Sequence, residues 1–266
     1  MPETSANGTV FECHGDPNNP AIALIHGLGL TRETWRDFIP RLSQDYHVIN
    51  YDLFGHGQSA PPPQRPSVTL FSEQLNDLLD ELGIARARVV GFSLGGMINR
   101  RFAMDHPERA MGLVILNSPH DRGEEAQKLV EQRAADTSAG GPGATLDATI
   151  ERWFTPQFRE QKPDVIEEIR HWVLANDPDT YAQCRMVLAH GVKELIRPEP
   201  PITHPSLVIT CENDTGSTPK MSHDIATEIQ DAKTIIIPSL QHMGLMERSD
   251  LFVEPMLEFL SAIKNP

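Results

Sequence analysis

Cysteine is scarce in this chain: Cys13, Cys184 and Cys211 stand far apart, with no CxxC pair among them. Such spacing supports neither a disulfide framework nor a thiolate zinc site, so three reduced, mostly buried thiols are expected. Long apolar runs are missing as well. No stretch approaches the ~20 apolar residues that span a bilayer, and no positively charged start leads into an apolar segment. No membrane partner is expected, and the cytoplasm is the expected compartment. Basic residues are in deficit: 23 Lys and Arg stand against 37 Asp and Glu, a formal charge of −14. That balance disfavours attraction to nucleic acid or to an anionic membrane surface. What is present is the composition of an ordinary globular protein, in 266 residues. This length suits one large domain, or a core domain carrying an insertion. Composition does not decide between a monomer and a homo-oligomer.

From Thr9 to Pro119 short apolar runs alternate with helical periodicity. Thr9–Cys13, Ala21–Ile25, Val48-Ile49 with its flanks, Arg88–Gly91 and Leu113–Leu116 read as strands. Thr31–Leu42, Ser67–Leu82 and Leu94–Asp105 read as helices, the second carrying Leu70, Phe71, Leu75, Leu78, Leu79 and Leu82 on one face. Strands alternating with helices predict βαβ units and a mostly parallel, twisted sheet flanked by helices. The rhythm breaks between about His120 and Pro201, where several helical segments occur without a convincing strand. It resumes with a strand at Leu207–Cys211, a helix at Pro219–Gln230, a strand at Thr234–Ile237 and a helix at Asp250–Ile263. The expected organisation is an α/β core of residues 1–119 and 202–266 with a helical cap, 120–201, inserted over the site.

Gly91-Phe92-Ser93-Leu94-Gly95 fits G-x-S-x-G. The pattern alone is weak, but a β-branched strand precedes it and a helix follows. In that setting a serine sits on a strained turn with its hydroxyl exposed above the sheet. Ser93 is therefore the candidate nucleophile, the bland alternative being a plain helix N-cap. A developing oxyanion needs preorganised donors. The Leu94 N–H is one candidate, and the Leu28 N–H, in the His26-Gly27-Leu28-Gly29 loop after the Ala21–Ile25 strand, is the other. His26 itself is expected to shape that loop.

Serine at its free pKa is a poor nucleophile, so a neutral imidazole must take its proton. Among eleven histidines, His242 is chosen because Gln241-His242-Met243-Gly244-Leu245 follows the last strand. The carboxylate that orients it is expected to be Asp214, in the Glu212–Gly216 loop after the Leu207–Cys211 strand, with Asp121 as the rival after Leu113–Leu116. The order Ser…Asp…His is the one this architecture uses. Asp52–Ser59 has the look of a metal-binding stretch, but no partner cluster of His, Asp or Cys shares a plausible spacing. It reads as a turn capped by its Asp and Ser.

With these residues assembled, the chain resembles the α/β-hydrolase superfamily over nearly its whole length. Within it, Gly-x-Ser-Leu-Gly-Gly at 91–96 and the cap segments Arg152–Pro156 and Asn176–Tyr181 are similar to the 3-oxoadipate enol-lactonase group and related small ester or lactone hydrolases. The departure lies at Gly27, where that group often carries serine. The resemblance implies a Ser-His-Asp triad, an acyl-enzyme, a small-molecule substrate and no metal or organic cofactor. Trp153 and Gly27 are the expected substrate-binding positions, and Arg152 or Arg185 could pair with a substrate carboxylate. Three other activities use the same frame: C–C bond hydrolysis of ring-cleavage diketones, cofactor-free dioxygenation, and ligand binding by a non-catalytic receptor.

Overall fold

Ala21–Ile25 is apolar at every position, and only a strand covered on both faces can bury such a run. All five residues are buried, each Ile or Leu contributing about 1.5–3 kcal/mol. The computed structural model, which describes residues 1–264, places this strand at the centre of an eight-stranded sheet. The strands are β1 (Glu3–Thr4), β2 (Val10–His14), β3 (Ala21–Ile25), β4 (His47–Tyr51), β5 (Ala87–Phe92), β6 (Ala110–Leu116), β7 (Ser206–Cys211) and β8 (Ala232–Ile237). Their spatial order is β1-β2-β4-β3-β5-β6-β7-β8. β2 runs antiparallel to β1 and β4, and all later pairings are parallel. β1 was not foreseen, being a two-residue exposed edge strand with no apolar alternation to announce it.

The helices are α1 (Ile39–Leu42), α2 (Val68–Glu81), α3 (Leu94–Asp105), α4 (Gly123–Gly140), α5 (Leu146–Trp153), α6 (Pro156–Gln161), α7 (Pro163–Leu174), α8 (Pro178–His190), α9 (Pro219–Glu228), α10 (Gly244–Glu247) and α11 (Asp250–Ala262). Helix α2 starts where Ser67 Oγ accepts the Leu70 N–H at 3.0 Å, satisfying one of the orphan donors of its first turn. Thr31–Leu42, expected as one helix, is broken into a 3₁₀ turn, Arg32–Trp35, and the single turn of α1. Pro40 explains the break, because proline is tolerated in a first turn and not in a helix interior.

Between β6 and β7 the chain leaves the sheet through α4 to α8, with no strand among the described residues. Pro156, Pro163 and Pro178 each open a helix, which is why this stretch is a series of short helices and not one long one. The segment is tied to the core at several points. The Thr155 N–H and hydroxyl donate to the Glu247 carboxylate. The Met243 N–H donates to the Trp153 carbonyl, and Arg36 pairs with Glu168 at 2.7 Å.

The chain steps from β3 to β4 on one side, then returns to place β5 on the other side of β3. At such a reversal the loops beyond the carboxyl ends of neighbouring strands diverge and leave a crevice, where open α/β sheets bind ligands. Ile25 is paired with Gly91, so the loop beginning at His26 and the turn at Ser93 emerge side by side.

Candidate active site

The turn after β5 is possible only because two residues lack side chains. A Cβ on Gly91 would lie 2.0 Å from the Gly95 carbonyl oxygen, and one on Gly95 would lie 2.2 Å from that of Ile25. Between them Ser93 adopts φ 56° and ψ −111°, a conformation that costs an L-residue energy and persists only when its surroundings impose it. Its N–H donates to the Leu116 carbonyl, and its own carbonyl accepts from the Ser118 hydroxyl. Ser93 occupies the N-cap position of α3, yet its side chain makes no capping bond. The hydroxyl instead lies 3.2 Å from His242 Nε2.

His242 stands in the loop between β8 and α10, and its Nδ1 lies 2.7 Å from Asp214 Oδ2. Nδ1 therefore carries the proton it donates to the carboxylate, which leaves Nε2 as the acceptor facing Ser93. Asp214, in the loop after β7, is buried. Its Oδ1 accepts the Gly216 and Ser217 N–H groups, both at 2.9 Å, and its Oδ2 also accepts the Asn117 amide at 2.9 Å. Burial alone would raise the pKa of this carboxyl. The adjacent His242 and the donated hydrogen bonds outweigh it and hold the pKa below the usual carboxylate range. Asp121, the rival acid, is exposed and accepts the Gly123 N–H at the start of α4. The residue that β6 does bring to this cluster is Asn117, which the sequence reading missed.

Of the two expected oxyanion donors, Leu94 follows the serine directly and Leu28 lies in the loop after β3. Leu94 is the first residue of α3, where helical N–H groups have no intrahelical partner. Leu28 and Gly27 line the same cavity as Ser93 and His242. A Cβ at Gly27 would come within 3.3 Å of the Ser93 Cβ. The loop is held by His26, whose Nε2 accepts the Leu53 N–H at 3.0 Å while Nδ1 donates to the Gly27 carbonyl at 2.8 Å. Burial pushes the pKa of His26 down and keeps the ring neutral, so it braces the loop. The Asp52–Ser59 stretch is a turn. Asp52 accepts from the Arg32 and Gln58 N–H groups and pairs with the Arg32 guanidinium, and Ser59 Oγ donates to the Asp52 carbonyl. No group of His, Cys, Asp and Glu suited to a metal ion occurs among the described residues.

Above the serine lies a cavity of about 80 Å³, several times the ~10–15 Å³ that one water needs by the same measure. Trp153 forms part of its wall, with its ring centroid 6.0 Å from that of His242. Phe92 lies on another side, 4.9 Å from the same imidazole. Arg152 and Arg185 both reach the cavity, and so do Arg122 and Arg133, two arginines that no motif or spacing singles out.

The sequence pattern of the alpha/beta hydrolase fold matches residues 20–150. The 3-oxoadipate enol-lactonase 2 of Acinetobacter baylyi is 28% identical over 243 residues, which cover 91% of this chain and 89% of that protein. The (E)-2-((N-methylformamido)methylene)succinate hydrolase of the same organism is 26% identical over 222 residues, 84% of this chain and 83% of that one. The crystal structure of the enol-lactonase from Burkholderia xenovorans has a TM-score of 0.88 and 30% sequence identity, covering 96% of this chain and 98% of its own. The chain belongs to the α/β-hydrolase family. Within this fold the carboxyl edge of the sheet is where Ser93, Asp214 and His242 meet, from the ends of β5, β7 and β8. The three cysteines are unpaired, and burial pushes the Cys184 and Cys211 thiols up to about 12, which makes them inert. No helix among the described residues is long and apolar enough to cross a membrane.

Proposed function

We propose that this protein is a serine hydrolase that cleaves a small ester or lactone through Ser93, His242 and Asp214. The observation that carries the reading is the unbroken chain of contacts from Ser93 Oγ to His242 Nε2 and from His242 Nδ1 to Asp214 Oδ2, at the foot of a cavity. The names of the similar enol-lactonases support a carboxylic ester or enol-lactone as the bond class.

Ser93 Oγ attacks the acyl carbon as His242 Nε2 takes its proton, and the carbonyl π electrons move onto oxygen. The Leu28 and Leu94 amides hold that oxyanion, each worth about 2.7–4 kcal/mol of barrier lowering in comparable sites. Asp214 keeps the imidazole in the productive tautomer and stabilises its cation. The imidazolium gives its proton to the departing oxygen, which frees the alcohol; in a lactone it remains tethered to the acyl chain. Water then attacks the acyl carbon as His242 takes one of its protons, and the acyl–Oγ bond breaks as that proton passes to Ser93 Oγ, releasing the acid. Segment 120–201 acts as a cap, with Trp153 and Gly27 bounding the substrate.

Turnover of p-nitrophenyl acetate and of a panel of small lactones tests this reading, with Ser93→Ala as the comparison. Loss of at least 10³-fold in kcat with an unchanged far-UV spectrum is expected. Near wild-type hydrolysis by the Ala variant would overturn it.

A further inference from the structure

We propose that the substrate carries two negative charges close to the scissile carbonyl, held by Arg133, Arg152 and Arg185. The inference rests on the hydrolase reading above and narrows its substrate class.

Arg133 comes from α4, Arg152 from α5 and Arg185 from α8, and all three reach the cavity that holds Ser93. Arg122, at the start of α4, joins them, but its guanidinium already donates to the Gln127 side chain and to the Leu188 and Ala189 carbonyls. The other three are less committed, although Arg185 lies within hydrogen-bonding reach of the buried Tyr181 hydroxyl. Arg152 has one hydrogen bond, to the Thr149 hydroxyl, and among the described residues no carboxylate lies within salt-bridge distance of Arg133, Arg152 or Arg185. The chain as a whole does not lack acids, with a formal charge of −14. Several arginines elsewhere do find acids: Arg36 pairs with Glu168, Arg101 with Asp105, Arg109 with Asp80 and Arg170 with Asp147.

Among the described residues the only carboxylate lining the cavity is Asp214, and both of its oxygens are saturated by His242, Asn117, Gly216 and Ser217. Four guanidinium charges therefore face one committed carboxylate. Burial, then the nearby Arg133 and Arg185 charges, lower the Arg152 pKa to about 10, which leaves it protonated at neutral pH. The reaction does not correct the imbalance, because the oxyanion and the imidazolium form together as a neutral pair. Compensation has to arrive with the substrate. One carboxylate offers two oxygens, enough for one bidentate guanidinium and a single further donor. Three guanidinium groups with open donors suit a dianion, either a dicarboxylate or a phosphate group.

Two measurements at pH 8 test the proposal. The first is calorimetric titration of the Ser93→Ala protein with acetate, succinate and inorganic phosphate. The second is kcat/KM of the wild type on p-nitrophenyl acetate, mono-p-nitrophenyl succinate and mono-p-nitrophenyl tricarballylate, which carry no, one and two carboxylates. Each added carboxylate is expected to raise kcat/KM roughly ten- to a hundredfold, and succinate to bind at least ten times tighter than acetate. Arg152→Met and Arg185→Met are each expected to lower the ratio of tricarballylate to acetate ester turnover by tenfold or more, with partial recovery in the Lys variants. Phosphate binding tighter than succinate supports the dianion and assigns it to a phosphate group. A flat ester series, with acetate binding as well as succinate and phosphate, overturns the proposal while turnover itself leaves the hydrolase reading standing. Tight dianion binding to Ser93→Ala with no ester turned over by the wild type sinks the hydrolase reading and leaves the charge recognition intact.

Discussion

Replacing Asp214 by Asn tests the site at its most heavily bonded atom pair. The carboxylate accepts four hydrogen bonds, two at each oxygen: His242 and Asn117 at Oδ2, Gly216 and Ser217 at Oδ1. An amide presents one acceptor and one donor, so either orientation turns an NH₂ group against two existing donors. With the NH₂ toward the backbone, the Gly216 and Ser217 N–H groups lose their partner. With the NH₂ toward the imidazole, His242 is driven to the tautomer whose Nε2 carries a proton and cannot accept the serine's. Each buried donor left unsatisfied costs about 1–3 kcal/mol, so a loss of about 2–6 kcal/mol is expected from a total on the order of 5–15 kcal/mol. Holding a catalytic imidazole in the wrong tautomer costs on the order of 10⁴ in kcat. The assay is p-nitrophenyl ester hydrolysis at pH 8, with a urea melt of the same preparation to give the folded fraction. A folded Asp214→Asn protein within tenfold of wild-type kcat would refute the role assigned to this carboxylate.

Asn117→Ala removes one hydrogen bond to an ionised acceptor, worth about 1.5–3 kcal/mol; a fall in kcat of roughly ten- to a hundredfold is expected in steady-state assays, and wild-type kinetics would place Asn117 outside the machinery. His56 is buried, and burial together with the neighbouring His26 lowers its pKa to about 3. Its unfolded value is about 6.5, so the unfolded chain binds the extra proton. The stability it supports is therefore complete above pH 6.5 and falls by about 1.4 kcal/mol per pH unit as pH drops toward 3. Urea melts at pH 7, 5.5 and 4.5 should show this slope, and His56→Gln should flatten it. Gly91→Ala places a Cβ 2.0 Å from the Gly95 carbonyl oxygen; destabilisation of about 3 kcal/mol or more is expected, read as a fall in the urea midpoint, and a midpoint equal to wild type would contradict the tight turn.

The sheet was legible because its central strands are buried on both faces and written as short apolar runs, unbroken in β3 and in the Leu113–Leu116 end of β6. Ser93 was legible because its chemistry demands a strand, a glycine-flanked turn and a helix in immediate succession. His242 and Asp214 could be chosen by chain order, since the loops after β7 and β8 open on the same edge of the sheet as Ser93. Asn117 left no signal: an Asn-Ser-Pro sequence after a strand reads as ordinary loop, and its value comes from a hydrogen bond across 97 positions. Arg122 and Arg133 were invisible for a related reason. Arg122 caps and Arg133 lies on a helix of mixed polarity, and only the packing of that helix against α8 brings them to the cavity shared with Arg152 and Arg185. The pairing of Arg32 with Asp52 was equally hidden, which is why the Asp52–Ser59 turn could be read as capped but its cation could not be named.

Labelling with a fluorophosphonate, followed by proteolysis and mass spectrometry, bears most directly on the triad. The probe reacts with a serine hydroxyl only when a base and an oxyanion site activate it. A single adduct on the peptide carrying Ser93 is expected, absent from Ser93→Ala and much slower to form in Asp214→Asn. An unlabelled protein, or an adduct on any other residue, would contradict the assignment of Ser93, His242 and Asp214 as a working triad.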